Sequence, residues 1–261
     1  MKRLTQYIKS DKSSFISLSE KLLINKDFNK KNGIKITEFP KNSDELKKII
    51  KDRYDKLGPG TKQKPIDFND IDTSSITDFV NVFNRSKFEY IDISGWDASR
   101  VDSMMNMFYS CEKLVFIGDI GEWDVSNVET FRGMFFNCRS LESIGDLSEW
   151  KVTDKLRDVC SMFCMCFKLK NIGDIGKWEM RNVSNTCEMF QRCDELEYIG
   201  DVSSWDLRSV MSMPGMFYGC KNLTDIGDLT KWHKPNAFRR DHLFGDVFTG
   251  SSIKNTPDWV F

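Results

Sequence analysis

A chain of 261 residues with 40% apolar and 13% aromatic side chains can hold one large domain or two, with ample material for a core. No apolar run of ~18 residues occurs, which excludes a membrane-spanning helix. The formal charge is −1, but residues 1–64 carry 17 Lys+Arg against 8 Asp+Glu, whereas residues 65–261 carry 21 against 31. A basic head therefore precedes an acidic body, as in a lysine-rich solvated cap or an arm for anionic surfaces.

Taken in chain order, the head comes first. Its basic start, Met1-Lys2-Arg3-Leu4, is followed by no apolar core of the secretory kind. A cytoplasmic protein with reduced thiols is the expectation. Residues 4–24 predict a helix and residues 26–41 a loop or short strand. Ser43 is expected to cap a helix running to Leu57, closed by Gly58-Pro59-Gly60. Residues 1–64 thus form a mainly helical cap that shields the near end of the acidic body.

From residue 65 the chain repeats. Trp96, Trp123, Trp150, Trp178, Trp205, Trp232 and Trp259 follow at steps of 27, 27, 28, 27, 27 and 27. A fixed period in this range marks a repeat architecture. Ile71 takes the tryptophan place in a first unit, and after Trp232 the pattern degrades into a C-terminal cap from about residue 233. Within a unit, Val128, Phe131, Phe135 and Cys138 fall at i, i+3, i+7 and i+10, one face of a short helix, with Ser126 (like Ser99 and Thr153) placed to cap it. Leu141, Ile144 and Leu147 suit a short strand. The expected fold is an α/β, leucine-rich-repeat-like solenoid of strand–helix coils, its tryptophans forming an internal aromatic ladder.

Other positions recur at the same period. Cys111, Cys138, Cys166, Cys193 and Cys220 read as one small buried thiol per unit. Cys160, Cys164 and Cys166 cluster near Cys187, but zinc would want paired Cys-x2–4-Cys units or nearby histidine, so no metal is assigned. Five Gly-Asp steps place Asp119, Asp146, Asp174, Asp201 and Asp228 in an acidic ladder. Like charges so close are expected to raise one another's pKa unless offset. Either each carboxylate accepts backbone N–H groups of the neighbouring turn, beside a glycine with positive φ, or the strip recruits a cation or a basic partner. The slots that vary between units are Phe116, Ser143, Asn171, Tyr198 and Asp225, and, before each tryptophan, Glu122, Glu149 and Lys177. These are expected to face outward as a partner-binding surface, with Phe116 and Tyr198 as exposed aromatic anchors.

Trp-Asp-x-Ser-x-Val followed by Met-Phe-x-x-Cys-x-x-Leu, as at residues 123–141, resembles the repeat of the BspA-like leucine-rich-repeat surface proteins, a lipoprotein-type domain of unknown function in bacteria and their phages. The likeness covers residues 71 to about 230. It implies a leucine-rich-repeat-like solenoid with an interaction or adhesion role and no known catalysis. This chain departs from that repeat in its added Gly-Asp step, and it is expected to lack the secretion signal and wall anchor of the surface members. Residues 18–25 are similar to leaders of phage-encoded proteins.

No phosphate-binding glycine loop, paired histidines or nucleophile elbow is present, so neither an enzyme nor a cofactor is expected. The leading expectation is a non-enzymatic scaffold that presents its repeat surface to another protein. The alternative is a phage structural or packaged protein whose residues 1–64 contact nucleic acid or a capsid.

Overall fold

The computed structural model describes residues 33–238 and 242–260. The helix expected over 4–24 and the leader-like stretch 18–25 lie outside the described residues. Helix α1 (Ser43–Leu57) forms where expected, with its cap one residue earlier. The Asn42 side chain, not that of Ser43, accepts the N–H groups of Asp44 and Glu45 at 3.1 and 2.9 Å. Asp44 and Glu45 sit at the positive end of the helix, and Gly58 (φ 76) ends it by donating its N–H to Tyr54. Leu46 and Ile50 are the buried face. Arg53 clamps the helix to the first unit by pairing with Asp70 at 2.5 and 3.1 Å while lying over the Phe68 ring.

Beyond α1, the expected strand–helix architecture is overturned. Among the described residues the only other regular structure is a parallel pair of two-residue strands, β1 (Ile66–Asp67) and β2 (Ile91–Asp92), with three short 3-10 turns. The rest of the described residues are turns and irregular backbone, so this is not an α/β solenoid. What recurs every 27 residues is a set of turns.

Hydrogen bonding explains why no helix forms at residues 128–138. The N–H groups of Phe131, Gly133, Phe135 and Asn137 donate to Asp158, Cys160, Met162 and Cys164 of the next unit, at 2.7–3.0 Å. Those of Met134, Phe136 and Cys138 donate three residues back, at 3.0–3.1 Å. A helix would need every one of them for a carbonyl four residues back. Left-handed residues complete the break: Gly133 (φ 61) and Asn137 (φ 59) here, Asn106 and Ser110 one unit earlier, Glu188 and Arg192 two units later. The turns still return an apolar side chain inward every three or four residues, which reproduces a helical hydrophobic pattern. The predicted strand at residues 141–147 fails for a related reason. Ser143 makes a single bridge to Phe116, and only Glu142 and Leu147 donate to neighbouring units.

The expected serine caps are also corrected. Asp97 and Asp124 accept the N–H groups of Ser99 and Ser126, so the capping oxygen belongs to the residue after tryptophan. Thr153 alone fits its expected role in part, accepting from Lys155 N–H at 3.3 Å.

Parallel bridges tie Asp78, Ser103, Thr130, Asp158, Asn185 and Ser212 into one line along the molecule. Trp96, Trp123, Trp150, Trp178, Trp205 and Trp232 are buried. The Trp150 Nε1–H donates to the Ile120 carbonyl at 2.9 Å and that of Trp232 to Val202 at 2.8 Å. The unbroken ring stack belongs to phenylalanine. Phe83, Phe108, Phe135, Phe163, Phe190, Phe217 and Phe248 follow at centroid spacings of 5.0–5.7 Å, nearly parallel. Phe248 closes it although the last unit is irregular in sequence. Beside the rings, each ladder thiol is buried and donates to a phenylalanine carbonyl of the preceding unit, as Cys138 does to Phe108 at 3.1 Å.

Candidate partner-binding surface

The variable slots line up. Tyr90, Phe116 and Ser143 are joined by parallel bridges, as are Asn171 and Tyr198. Between the two groups, Leu147 donates to the Ile172 carbonyl at 2.8 Å and carries the register across. Asp225 continues the series at the same period. Ser143, Asn171, Tyr198 and Asp225 are exposed, Tyr198 to 45%. Phe116 is half-buried, so it is less of an open anchor than its sequence position suggested. Glu122, Glu149 and Lys177 are exposed just before their tryptophans.

The polar members of this column have a local duty. Asn171 accepts the N–H of Gly173 at 2.8 Å, Ser143 that of Gly145 at 3.4 Å and Asp225 that of Gly227 at 3.3 Å. Each side chain closes a turn onto the residue two positions on. Phe116 and Tyr198 occupy the same slot and cannot accept in that way. At Phe116 and Tyr198 a ring therefore stands where the turn chemistry favours a short oxygen-bearing side chain.

Between the two variable strips runs the acidic ladder. Asp119, Asp146 and Asp201 are exposed, Asp174 and Asp228 half-buried. Each accepts an N–H within its own turn, two residues on, rather than from the neighbouring unit: Gly121, Ser148, Gly176, Ser203 and Thr230, at 2.9–3.2 Å. The preceding glycines have positive φ, as at Gly145 (φ 92), where a Cβ would collide with Oδ1 of Asp119 one unit back. The mutual raising of pKa expected of close carboxylates is offset at two rungs. The Ser203 hydroxyl and N–H hold Asp201 below the usual carboxylate range, and the Thr230 hydroxyl does the same for Asp228 against a weak opposing push from Asp201.

Two clefts lie elsewhere. The larger, about 530 Å³, is lined by Phe39, Ile49 and Leu57 with Glu45, Asp52 and Lys56 beside α1. The smaller, about 260 Å³, gathers Glu188, Tyr218 and His242. Neither was marked by the sequence: the first is lined from within residues 38–57, and the lining of the second is scattered over three units. Among the described residues no three His, Cys, Asp or Glu side chains come together as a metal would require, and no helix is long and apolar enough to cross a membrane.

Over residues 59–172, and again over 158–255, the chain matches a family described as Mycoplasma protein of unknown function, DUF285. The chain belongs to that family. The double match reflects the repetition seen in the core. No curated protein and no solved structure matches it.

Proposed function

We propose that this chain is a non-enzymatic interaction scaffold that presents the column from Phe116 to Asp225, flanked by Glu122, Glu149 and Lys177, to another protein. One observation carries the reading. At Phe116 and Tyr198 an aromatic ring stands in place of a turn-closing oxygen, and Tyr198 leaves 45% of its surface open to solvent. Exposed aromatics flanked by mixed charge are the usual anchors of a protein interface. Kinship with the BspA-like surface proteins is part of this proposal, resting on the motif at residues 123–141.

The test is a pull-down from the native host with the full chain and with a Phe116→Ser, Tyr198→Asn variant. The variant restores the turn oxygens and is expected to fold at least as well while losing the captured protein. Capture of the same protein by both chains would refute this surface as the binder.

A further inference from the structure

Three cysteines stand outside the thiol ladder, and two of them face each other. Asp158 and Asn185 are bridged in parallel, so Cys160 and Cys187, each two residues further on, occupy matching positions in neighbouring units. The Ser161 N–H donates to the Cys187 carbonyl at 2.7 Å and fixes that register. The same position holds Val80, Met105 and Pro214 in other units, and Arg132 in the unit immediately before Cys160. A guanidinium and two thiols thus succeed one another in consecutive units. Arg132 is held there by the Asp158 carboxylate at 3.1 Å.

The thiols differ in character. The neighbouring Cys187 thiol, the Ser161 hydroxyl and the Arg132 charge outweigh burial and pull Cys160 down to about 7. The neighbouring Cys160, burial and the nearby Glu188 push Cys187 up. Arg132, Asp158, Cys164 and Glu188 are the charged and titratable groups around the pair. Cys164 is kept neutral, burial pushing it up to about 12, and faces Gln191 instead. Parallel neighbours lie about 4.8 Å apart, inside the 4.4–6.8 Å range of Cα separations that a disulfide spans. Cys187 is half-buried and Cys160 is open over only 6% of its surface, so an oxidant that reaches them has to be small.

We propose that Cys160 and Cys187 are a hydroperoxide-reactive dithiol that closes to a disulfide joining two neighbouring units. The Cys160 thiolate attacks one peroxide oxygen, the O–O bond breaks, and the leaving hydroxide takes a proton to become water. Cys160 is then a sulfenic acid. The Cys187 sulfur attacks it, the S–O bond breaks, and the departing hydroxide leaves as a second water with the Cys187 proton. Two thiols are oxidised and one peroxide is reduced.

The experiment treats the folded full chain with hydrogen peroxide, blocks remaining thiols after unfolding, and maps cross-linked peptides by mass spectrometry. The expected product is lighter by two hydrogens and carries a Cys160–Cys187 cross-link. Cys187→Ser is expected to stop at a Cys160 sulfenic acid trapped by dimedone, and Arg132→Gln to slow the wild-type reaction several-fold. Absence of that cross-link in the wild type, or first oxidation at a ladder cysteine or at Cys164, would overturn the proposal. The wild-type map decides even if a cysteine variant does not fold.

Discussion

Replacing Phe163 with alanine removes a ring from the middle of the stack. Phe163 is fully buried, 5.6 Å from Phe135 and 5.5 Å from Phe190. Burying such a side chain is worth about 1.5–3 kcal/mol by area, and the cavity left between two rigid rings brings the cost to roughly 3–5 kcal/mol. Two lost ring contacts, each worth about 0.5–1.5 kcal/mol, favour the upper half of that range. With a urea dependence of about 3 kcal/mol per molar, a loss of ~4 kcal/mol lowers the unfolding midpoint by about 1.3 M. The assay is urea unfolding followed by tryptophan fluorescence and circular dichroism, with Phe136→Ala as the control. Phe136 is half-buried and stacks on Tyr109, at 4.6 Å, so it should cost at most about 1.5 kcal/mol. A Phe163→Ala midpoint no lower than that of Phe136→Ala would refute the stack as the main support of the core.

Gly145→Ala forces a side chain into φ 92 and against Asp119; it should cost about 1–3 kcal/mol from the backbone alone, read as a lowered melting temperature. Burial pushes the Asp70 carboxyl up, but Arg53 and Thr37 outweigh it and hold it low. Its contribution is therefore present above about pH 4 and is lost as pH falls through the lowered value. The melting-temperature gap between wild type and Asp70→Asn should shrink on acidification, and a gap unchanged down to pH 2 would contradict the pairing. Cys138, Cys166, Cys193 and Cys220 should resist iodoacetamide in the folded state, since burial pushes each of these ladder thiols up, Cys220 to about 12. Quantitative peptide mapping at mildly alkaline pH would show Cys220 labelled only after unfolding.

The repeat, its phase and its buried tryptophans were legible because a bulky ring recurring at one interval has few other causes. The turn geometry was not. Apolar residues at Val128, Phe131 and Phe135 satisfy a helix and a string of three-residue turns equally well. The deciding left-handed positions are filled by Asn106, Ser110, Glu188 and Arg192, which carry no glycine signal. A stronger cue was available in the oxygen-bearing residues two places before Gly173, Ser99 and Cys160, since that spacing is the mark of a side chain closing its own turn. The candidate column followed from the period alone. The turn duty of Ser143 and Asn171, which makes Phe116 and Tyr198 exceptional, needed coordinates. Cys160 and Cys187 were noticed as a cluster, but their partnership with Arg132 depends on a register that spacing could not supply.

Because alternate amides of each turn segment donate to the unit after it, a block of 27 residues can leave without orphaning its neighbours. Excision of residues 178–204 would bring Trp205 to the place Trp178 held, and Phe217 onto Phe163. The molecule's length is thus adjustable by duplication or loss in whole increments, and a shortened relative should keep the same interior with a shorter face.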